Sequence, residues 1–182
     1  MVELTDQEIL EQFADQQRRN YVFNLLVRQF QQRLYWHIRK MVLDHDDADD
    51  ILQNVFIKAY NGLDKFRGES KILTWLYRIA TNESITFLNS KKKRFFVPIV
   101  DVENQLSQNL ETDSYFNGDK IQMKLQQAIL TLPEKQRLVF NLKYFEEMKY
   151  EEMSEILGTS VGALKASYHH AVKKIEEFFK GS

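Results

Sequence analysis

The stretch EEMSEILGTSVGALKASYHHAVKKI, residues 151–175, decides the fold of the C-terminal part of this chain. It predicts a short apolar helix that ends at Gly158 and a longer helix that begins after a Ser160 cap, because glycine favours helix ends and serine favours helix starts. A turn of about three residues sets two such helices at roughly 90–120° and leaves the second free to enter a DNA major groove. The stretch therefore predicts a helix-turn-helix unit.

The second helix of this unit has an apolar face and a polar face. Lysines on the polar face suit contact with DNA phosphates or base edges, although a helical hairpin with a solvated polar face would show the same pattern. Neighbouring residues point about 100° apart on a helix, so the paired histidines do not predict a metal site. The predicted outward residues are Lys165, Ser167, His169, His170, Lys173 and Lys174.

A second motif, DHDDADDILQNVFIKAY at residues 44–60, places five acids at the start of an amphipathic helix. One interpretation is that the acids complement the positive end of the helix dipole. Another takes Asp46, Asp47, Asp49 and Asp50 as magnesium ligands for a diphosphate substrate, but no second acidic motif accompanies them. A third is a face that docks a partner helix. The residues of that face recur at helical spacing and are Asp47, Asp50, Gln53, Asn54 and Ile57.

A third motif, FRGESKILTWLYRIATNESITFLNSKKKR at residues 66–94, combines aromatic and basic residues. Trp75 and Tyr77 lie among spaced bases, and four consecutive bases follow. Such a mixture suits single-stranded nucleic acid, whose bases stack on aromatic rings while its backbone is neutralised. The alternative is that Trp75 belongs to the core and the basic cluster is merely solvated.

Apolar residues recur at helical spacing along almost the whole chain and alternate nowhere for long, which predicts an all-α fold. Several helix starts are also marked. Thr5 with Glu8 forms a capping-box pattern, and Ser70 can cap the helix of the third motif. TLPE at residues 131–134 places Thr131 as a cap ahead of a proline in the first turn.

Charge divides the chain into two near-neutral parts and an acidic segment. The 182 residues carry 25 bases and 26 acids, with a net charge of −1. Residues 1–94 hold 15 bases and 13 acids, residues 95–118 hold four acids and no base, and residues 119–182 hold 10 bases and nine acids. We predict two small helical domains, 1–94 and 119–182, joined by a flexible acidic linker at 95–118. Fully extended, such a linker spans up to about 80 Å, so we expect that the domains can lie far apart.

The composition also bears on protein class. Without cysteine, the chain has no disulfide scaffold, Cys-ligated zinc site or thiol nucleophile. The acidic N-terminus is unlike a signal peptide, and no run approaches the ~18 apolar residues of a membrane span. We therefore expect a cytoplasmic protein that is not inserted in a membrane. Taken alone, the net charge near zero argues against a nucleic-acid partner.

The three motifs, in this order, resemble the sigma-70 family of bacterial transcription initiation factors. The similarity is to the small extracytoplasmic-function (ECF) group, which keeps only the second and fourth sigma domains. It covers about residues 20–178 and implies no catalytic activity of the chain's own, no cofactor, no metal and no small-molecule substrate. The stretches that carry it are DADDILQNVFIKAY (47–60), FRGESKILTWLYRIATN (66–82) with the basic run after it, and LPEKQRLVFNLKYFEEMKYEEMSEILGTSVGALK (132–165).

The resemblance assigns two roles to the N-terminal domain. Its acidic helix would bind the clamp helices of the largest subunit of core RNA polymerase. The residues implied are Asp47, Asp50, Gln53, Asn54, Phe56, Ile57 and Tyr60, although Phe56 could instead belong to the core.

The next loop and helix would open promoter DNA and recognise the −10 element by holding a flipped base. The residues implied are Phe66, Arg67, Gly68, Glu69, Ser70 and Lys71 in the pocket loop, Trp75, Arg78 and Asn82 on the helix, and Lys91, Lys92, Lys93 and Arg94 for phosphates.

For the C-terminal domain, the resemblance implies recognition of the duplex −35 element and contact with the flap region of the polymerase. The residues implied are Ser160, Lys165, Ser167, Tyr168, His169, His170, Lys173 and Lys174. The family often shows GTVKSRLHRA where this chain has GALKASYHHA, so Ser167 and His170 stand at two frequent arginine positions. Fewer permanent charges favour contacts that are water-mediated or based on DNA shape.

One further partner and two alternative protein classes are also consistent with parts of the sequence. Sigma factors of this group are often held by an anti-sigma factor, which is a further implied partner. A helix-turn-helix regulator that is not a sigma factor is the alternative, but it does not account for residues 44–94. A magnesium-dependent prenyl-type enzyme is the competing enzymatic hypothesis.

Overall fold

The computed structural model describes residues 4–95 and 120–181, without the side chains of residues 92–95. The part described is helical and contains no strand, as the periodicity predicted. No helix in these two ranges has the length and apolarity needed to cross a membrane. The helices are α1 (Asp6–Phe13), α2 (Arg19–Val42), α3 (His45–Gly62), α4 (Ile72–Phe95), α5 (Lys120–Leu130), α6 (Glu134–Tyr144), α7 (Tyr150–Leu157) and α8 (Val161–Lys180), with a short 3₁₀ turn at Leu63–Lys65.

Helices α2, α3 and α4 pack against one another to form the core of the N-terminal part, residues 4–95. Each contributes one apolar face, and the innermost side chains are removed from water almost completely. Helix α1 packs against α2 and against the 3₁₀ turn at Leu63–Lys65. The buried residues include Ile9, Phe13, Leu26, Leu34, Ile38, Ile51, Val55, Leu76 and Ala80.

Local capping explains several helix starts. Thr5 and Glu8 form the predicted capping box, with Thr5 N–H donating to Glu8 Oε2 over 2.8 Å. One of the five acids, Asp44, caps α3 by accepting a hydrogen bond from the Asp47 N–H over 3.0 Å. Asp44 is thus the cap of α3, and Asp46 and Asp47 lie in the first turn, the position that the dipole interpretation requires.

The predicted caps Ser70 and Thr131 were wrong. Helix α4 begins at Ile72, and the Ile72 N–H donates to Asp6 Oδ2 of helix α1 over 2.8 Å, so a residue distant in sequence acts as the cap. The Thr131 hydroxyl donates to the Ala128 carbonyl over 2.7 Å and finishes the preceding helix. At α4 a distant acceptor satisfied the N–H group that a local cap was expected to satisfy, whereas α6 begins after Pro133 without a side-chain cap.

The helix-turn-helix of the C-terminal part, residues 120–181, forms as predicted. Helix α7 ends at Gly158, whose φ of 61° is the left-handed conformation that glycine adopts without strain. Helix α8 begins at its Ser160 cap, whose side chain accepts a hydrogen bond from the Ala163 N–H over 3.3 Å. Helices α5 and α6 pack on α8 around Ile129, Phe140 and Ala171.

The two parts of the chain pack directly against each other. Helix α7 lies on α4, and α6 meets α2, so Met148, Met153 and Ile156 share one apolar cluster with residues of the N-terminal bundle. The expectation that the domains lie far apart therefore does not describe this structure. Residues 96–118 of the predicted linker lie outside the described residues, and Phe95 is the last residue of α4.

His37 of α2 is buried against α4, with 1% of its surface exposed. Its Nε2 lies 2.9 Å from Thr81 Oγ1, and its ring meets the edge of the Tyr77 ring. Burial lowers the pKa of His37 to about 4 from the usual 6.5, because the charged imidazolium would lose its hydration. The Glu146 carboxylate opposes this shift, and the Lys40 ammonium adds to it.

Acidification should destabilise the fold through His37. The unfolded chain takes up a proton on this imidazole below about pH 6.5, whereas the folded chain does so only near pH 4. The free energy of unfolding should therefore fall as the pH drops through this window, by about 2 kcal/mol between about pH 7 and about pH 5. Urea titrations at these two pH values measure the loss. His37→Gln, which carries no titratable ring, should show a smaller loss, and an equal loss in both proteins would contradict the assignment.

Candidate nucleic-acid and partner-binding surfaces

One face of α3 presents a polar stripe with a single large apolar residue. The opposite side of the helix is buried through Ala48, Ile51, Val55 and Ala59, which fixes the rotation of α3 about its axis. Ile57 is 59% exposed, although an isoleucine normally prefers the interior. The predicted partner-binding residues that lie exposed on this face are Asp50, Gln53, Asn54 and Ile57.

Phe56 and Tyr60, from the same predicted set, are partly buried and help to hold the bundle together. The ring of Phe56 meets Phe23 edge-on at a centroid distance of 6.3 Å. Tyr60 makes a closer edge contact with Phe23 at 5.0 Å, and its hydroxyl donates to Asn20 Oδ1 over 2.8 Å. These contacts give both residues a structural role, whereas the sequence indicated such a role only for Phe56.

Asp47 and Lys91, assigned to two different surfaces, form an ion pair. Lys91 Nζ lies 2.8 Å from Asp47 Oδ2, and both side chains are only partly exposed. The pair joins the beginning of α3 to the last turns of α4, so it links the predicted partner face to the predicted phosphate-binding segment. The side chains of Lys92, Lys93 and Arg94 lie outside the described residues.

An open cleft of about 440 Å³ lies where the loop after α3 meets the first turns of α4. Phe66 and Trp75 form its aromatic wall, with ring centroids 5.3 Å apart. Arg67 and Arg78 are exposed at the rim, so a stacked base and its phosphates would find suitable groups here. The residues lining the cleft are Lys65, Phe66, Arg67, Glu69, Ser70, Trp75, Arg78 and Glu155.

Most of the residues predicted for the pocket loop therefore come together. Gly68 lies in the same loop with a φ of 70°, which a residue with a side chain adopts only under strain. Lys71 forms an ion pair with Glu152 of α7, in which Lys71 Nζ lies 3.5 Å from Glu152 Oε1. Asn82 is exposed on α4, one turn beyond Arg78. Sequence reasoning missed Lys65 and Glu155. Lys65 stands directly before the motif, whereas nothing local to Glu155 indicates that it reaches a cleft in the other part of the chain.

The outer face of α8 carries most, but not all, of the predicted duplex-binding residues. Tyr168 is partly buried and stacks on Phe140 at a centroid distance of 5.8 Å, so it supports the helix from inside. Ser160 is the helix cap, and Ser167 is half-buried. Within residues 4–95 and 120–181 no group of His, Asp or Glu side chains is placed to hold a metal ion, the paired histidines included. The exposed residues are Lys165, His169, His170, Lys173 and Lys174.

The chain is thus a two-part helical protein with a helix-turn-helix in its second part, and its similarity to known families follows the same division. The sigma-70 region 2 family matches residues 26–94, which contain α3, all but the last residue of α4 and every residue lining the cleft except Glu155. The sigma-70 region 4 family matches residues 122–175, which contain the helix-turn-helix.

Curated relatives are similar along nearly the whole chain. The RNA polymerase sigma-H factor of Pseudomonas aeruginosa is 31% identical over 94% of this chain and 92% of its own length. The ECF RNA polymerase sigma-E factors of Escherichia coli K12 and Haemophilus influenzae are 31% and 30% identical, each over 96% of this chain and at least 94% of their own lengths. The chain belongs to the sigma-70 family of RNA polymerase sigma factors, in its ECF group. It is a factor for promoter-specific transcription initiation.

Solved structures show the same fold. One is the sigma factor RpoE from Bartonella quintana in complex with the anti-sigma factor NepR. It is similar with a TM-score of 0.68 and 20% sequence identity, and the match covers 87% of this chain and 96% of RpoE. The structure of CnrH in complex with the cytosolic domain of CnrY gives a TM-score of 0.69 and 22% identity, over 97% and 98% of the two chains.

Proposed function

We propose that this sigma factor contacts core RNA polymerase and promoter DNA through three separate surfaces, two in residues 1–94 and one in residues 119–182, with 95–118 as the connecting linker. The observation that carries the proposal is the cleft at the start of α4, where two aromatic rings and several charged groups from one loop and one helix converge. No catalytic activity, cofactor or small-molecule substrate is part of this function, which is exercised in the cytoplasm.

The cleft is the site for the −10 element in single-stranded form. A flipped base can stack against Phe66 or Trp75, and Arg67 and Arg78 stand at the rim where phosphates would pass. Extruding a base costs on the order of a few kcal/mol, which a preformed aromatic wall offsets. Lys71 and Asn82 extend the same surface, and the bases at the end of α4, Lys91, Lys92, Lys93 and Arg94, would continue along the backbone.

The exposed stripe of α3 is the contact for the clamp helices of the largest polymerase subunit. Asp50, Gln53 and Asn54 offer charge and hydrogen bonds, while Ile57 supplies an apolar group that a partner helix would remove from water. Asp47 contributes indirectly, because its pairing with Lys91 orients the beginning of α3. Phe56 and Tyr60 support the helix from behind.

Helix α8 is the element for the duplex −35 sequence, and the same domain would contact the flap region of the polymerase. Lys165, Lys173 and Lys174 provide the permanent positive charges on its exposed face. Ser167 and His170 replace charged arginines of the common family pattern, so electrostatic attraction to the duplex is weaker, and water-mediated contacts carry more of the recognition.

An anti-sigma factor is a further proposed partner. Of the two structures with a similar fold, one is a sigma factor bound to the anti-sigma factor NepR, and the other is CnrH bound to the cytosolic domain of CnrY. A regulator of the same kind would need to cover the α3 stripe or the cleft in order to prevent polymerase or DNA binding.

Transcription with purified components tests the whole proposal. The chain, core polymerase and a library of promoter fragments are combined, and start sites are mapped by sequencing the transcripts. We expect initiation at a restricted promoter set that shares −10 and −35 sequences, and the cleft variant Trp75→Ala should reduce it. If active core enzyme gives no promoter-specific initiation with this chain, the proposal fails.

Replacing Asp50 and Gln53 together by alanine should weaken binding to core polymerase by about tenfold or more, because both side chains lie on the exposed stripe and contribute little to the fold. Fluorescence anisotropy with core enzyme measures the loss. Gln31→Ala with Gln32→Ala, on the exposed side of α2, is the matched control. Binding to a −35 duplex should be unchanged, and an equal loss of duplex binding would contradict the assignment.

Lys173→Ala with Lys174→Ala should weaken DNA binding across all sequences and reduce the dependence of log affinity on log salt by about 1–2 units, because each phosphate contact releases about one counterion. Titrations of the −35 duplex at several salt concentrations measure this slope. Lys120→Ala with Lys135→Ala removes the same charge from other exposed positions of the C-terminal part. If both double variants change the slope equally, net charge rather than the α8 surface is responsible.

A further inference from the structure

Helix α1 is joined to the start of α4, beside the proposed −10 cleft, by one carboxylate. Asp6, the first residue of α1, is partly buried, and its Oδ2 accepts a hydrogen bond from the Ile72 N–H over 2.8 Å. The first N–H groups of a helix have no acceptor within the helix. Ile72 is buried completely, so water does not reach this N–H and Asp6 is its acceptor. Asp6 precedes residues 26–94, which match the region 2 family.

The position of Asp6 is itself fixed by contacts at the beginning of α1. The capping box of Thr5 and Glu8 orders the backbone where α1 starts. Gln29 of α2 then holds the backbone of Leu4 at both of its polar groups. Its Oε1 accepts from the Leu4 N–H over 3.3 Å, and its Nε2 donates to the Leu4 carbonyl over 3.2 Å. The Asp6 carboxylate is therefore a fixed point to which the start of α4 is attached.

The pocket loop, residues 66–71, is anchored at its two ends. Its first residue, Phe66, donates its N–H to the Leu63 carbonyl over 3.2 Å, and the loop ends at the hydrogen bond just described. Between these ends the side chains of Arg67 and Glu69 are 83% and 78% exposed, and a Cβ added to Gly68 would meet no atom within 4 Å. An open groove of about 480 Å³ lies between α1 and the loop. Because the middle of the loop has so little packed against it, its ends decide its shape.

The aromatic wall of the cleft depends on the same anchor. Trp75 ends the first turn of α4, and its N–H donates to the Lys71 carbonyl over 3.1 Å. Its ring contacts that of Phe66, and it lies so close to Gly62 of α3 that an added Cβ there would be 3.1 Å from Trp75 Cζ2. Binding groups need to be held to within about 0.5 Å of their working positions. A displaced first turn of α4 would therefore disturb the wall.

We propose that Asp6 is a positioning residue for −10 recognition. By accepting the Ile72 N–H, it fixes the first turn of α4 and so places the pocket loop and Trp75 for a flipped base. Asp6 acts through Ile72 and does not itself touch DNA. The inference rests on the proposed function of the cleft, and it gives α1 a part in promoter recognition in addition to its packing on α2.

Two measurements separate local order from recognition. Hydrogen exchange of peptides that cover residues 66–75, followed by mass spectrometry on the free chain, reports the order of the loop and the first turn of α4. Holoenzyme assembled from core polymerase and the chain is then titrated with labelled single-stranded oligonucleotides that carry the −10 sequence of a mapped promoter. An abasic site is placed at each position in turn. The position with the largest loss of affinity for the parent holoenzyme marks the base held in the cleft.

Asp6→Ala should raise hydrogen exchange in residues 66–75 by at least about tenfold, because the buried Ile72 N–H loses its acceptor. The affinity ratio between the intact oligonucleotide and the one abasic at the marked position should fall by at least about fivefold. Binding to core polymerase and to the −35 duplex should stay the same. Asp6→Asn keeps an oxygen acceptor and should restore most of both quantities. Glu11→Ala removes the same charge from an exposed position of α1 and should change neither.

Two results would overturn the positioning role. If holoenzyme with folded Asp6→Ala distinguishes the intact from the abasic oligonucleotide as well as the parent does, the hydrogen bond to Ile72 does not shape the cleft. If Asp6→Asn loses as much as Asp6→Ala, the negative charge is responsible and the acceptor is not. Asp6→Glu keeps the charge but lengthens the side chain by one methylene, so it should also lower the ratio, and it keeps the test valid if the alanine variant does not fold.

The parent protein separates this inference from the proposed function. If the parent holoenzyme shows no loss of affinity at any abasic −10 position, the proposed function of the cleft fails, and the role of Asp6 in recognition fails with it. Hydrogen exchange in the free chain does not depend on DNA, so it still decides whether Asp6 orders the start of α4.

Discussion

The packing of α3 between α2 and α4 is the constraint on which the rest of the N-terminal part depends. Ile51 and Val55 are buried completely, and each side chain contributes about 1.5–3 kcal/mol through removal from water. Helix α3 therefore cannot rotate without exposing them, and its polar stripe must face outward. The same reasoning applies to α4, where burial of Ile72 and Leu76 turns Arg78 and Asn82 to the surface. The proposed binding residues thus point outward because the opposite faces of α3 and α4 are buried in the core.

The electrostatic contacts between the two parts differ greatly in weight. Lys71 is 72% exposed, so its pair with Glu152 is well hydrated and contributes at most about 1 kcal/mol. Glu146 is nearly buried and has two partners, so its loss would leave Lys40 and Tyr77 without their shared acceptor. A net charge near zero is consistent with such a molecule, because acids placed against the proposed DNA-binding cations offset their charge within the chain. The net charge alone is therefore a poor guide to nucleic-acid binding here.

Local patterns predicted most helices and much of the proposed site. The helix-turn-helix needed only Gly158 and Ser160, whose backbone preferences act within one turn, and all residues lining the cleft except Glu155 come from one continuous stretch. Predictions that assumed a local partner were less successful. Asp6 of α1 took the role expected of Ser70, and Asp47 paired with Lys91 from the far end of α4. These partners are separated by dozens of residues, and no periodicity within one helix contains that information.

The sequence by itself determined the helices, the faces that they bury and the family to which the chain belongs, because apolar spacing, caps and motif order are properties of neighbouring residues. Only the tertiary structure decided which predicted surface residues are free to bind and which are engaged inside the molecule. It also decided that the two parts meet, with Glu146 between α2 and α4 and Glu155 at the cleft. The physical reason is that burial, ion pairing and shared space arise between segments far apart in the chain, where each segment's own sequence gives no sign of its partner.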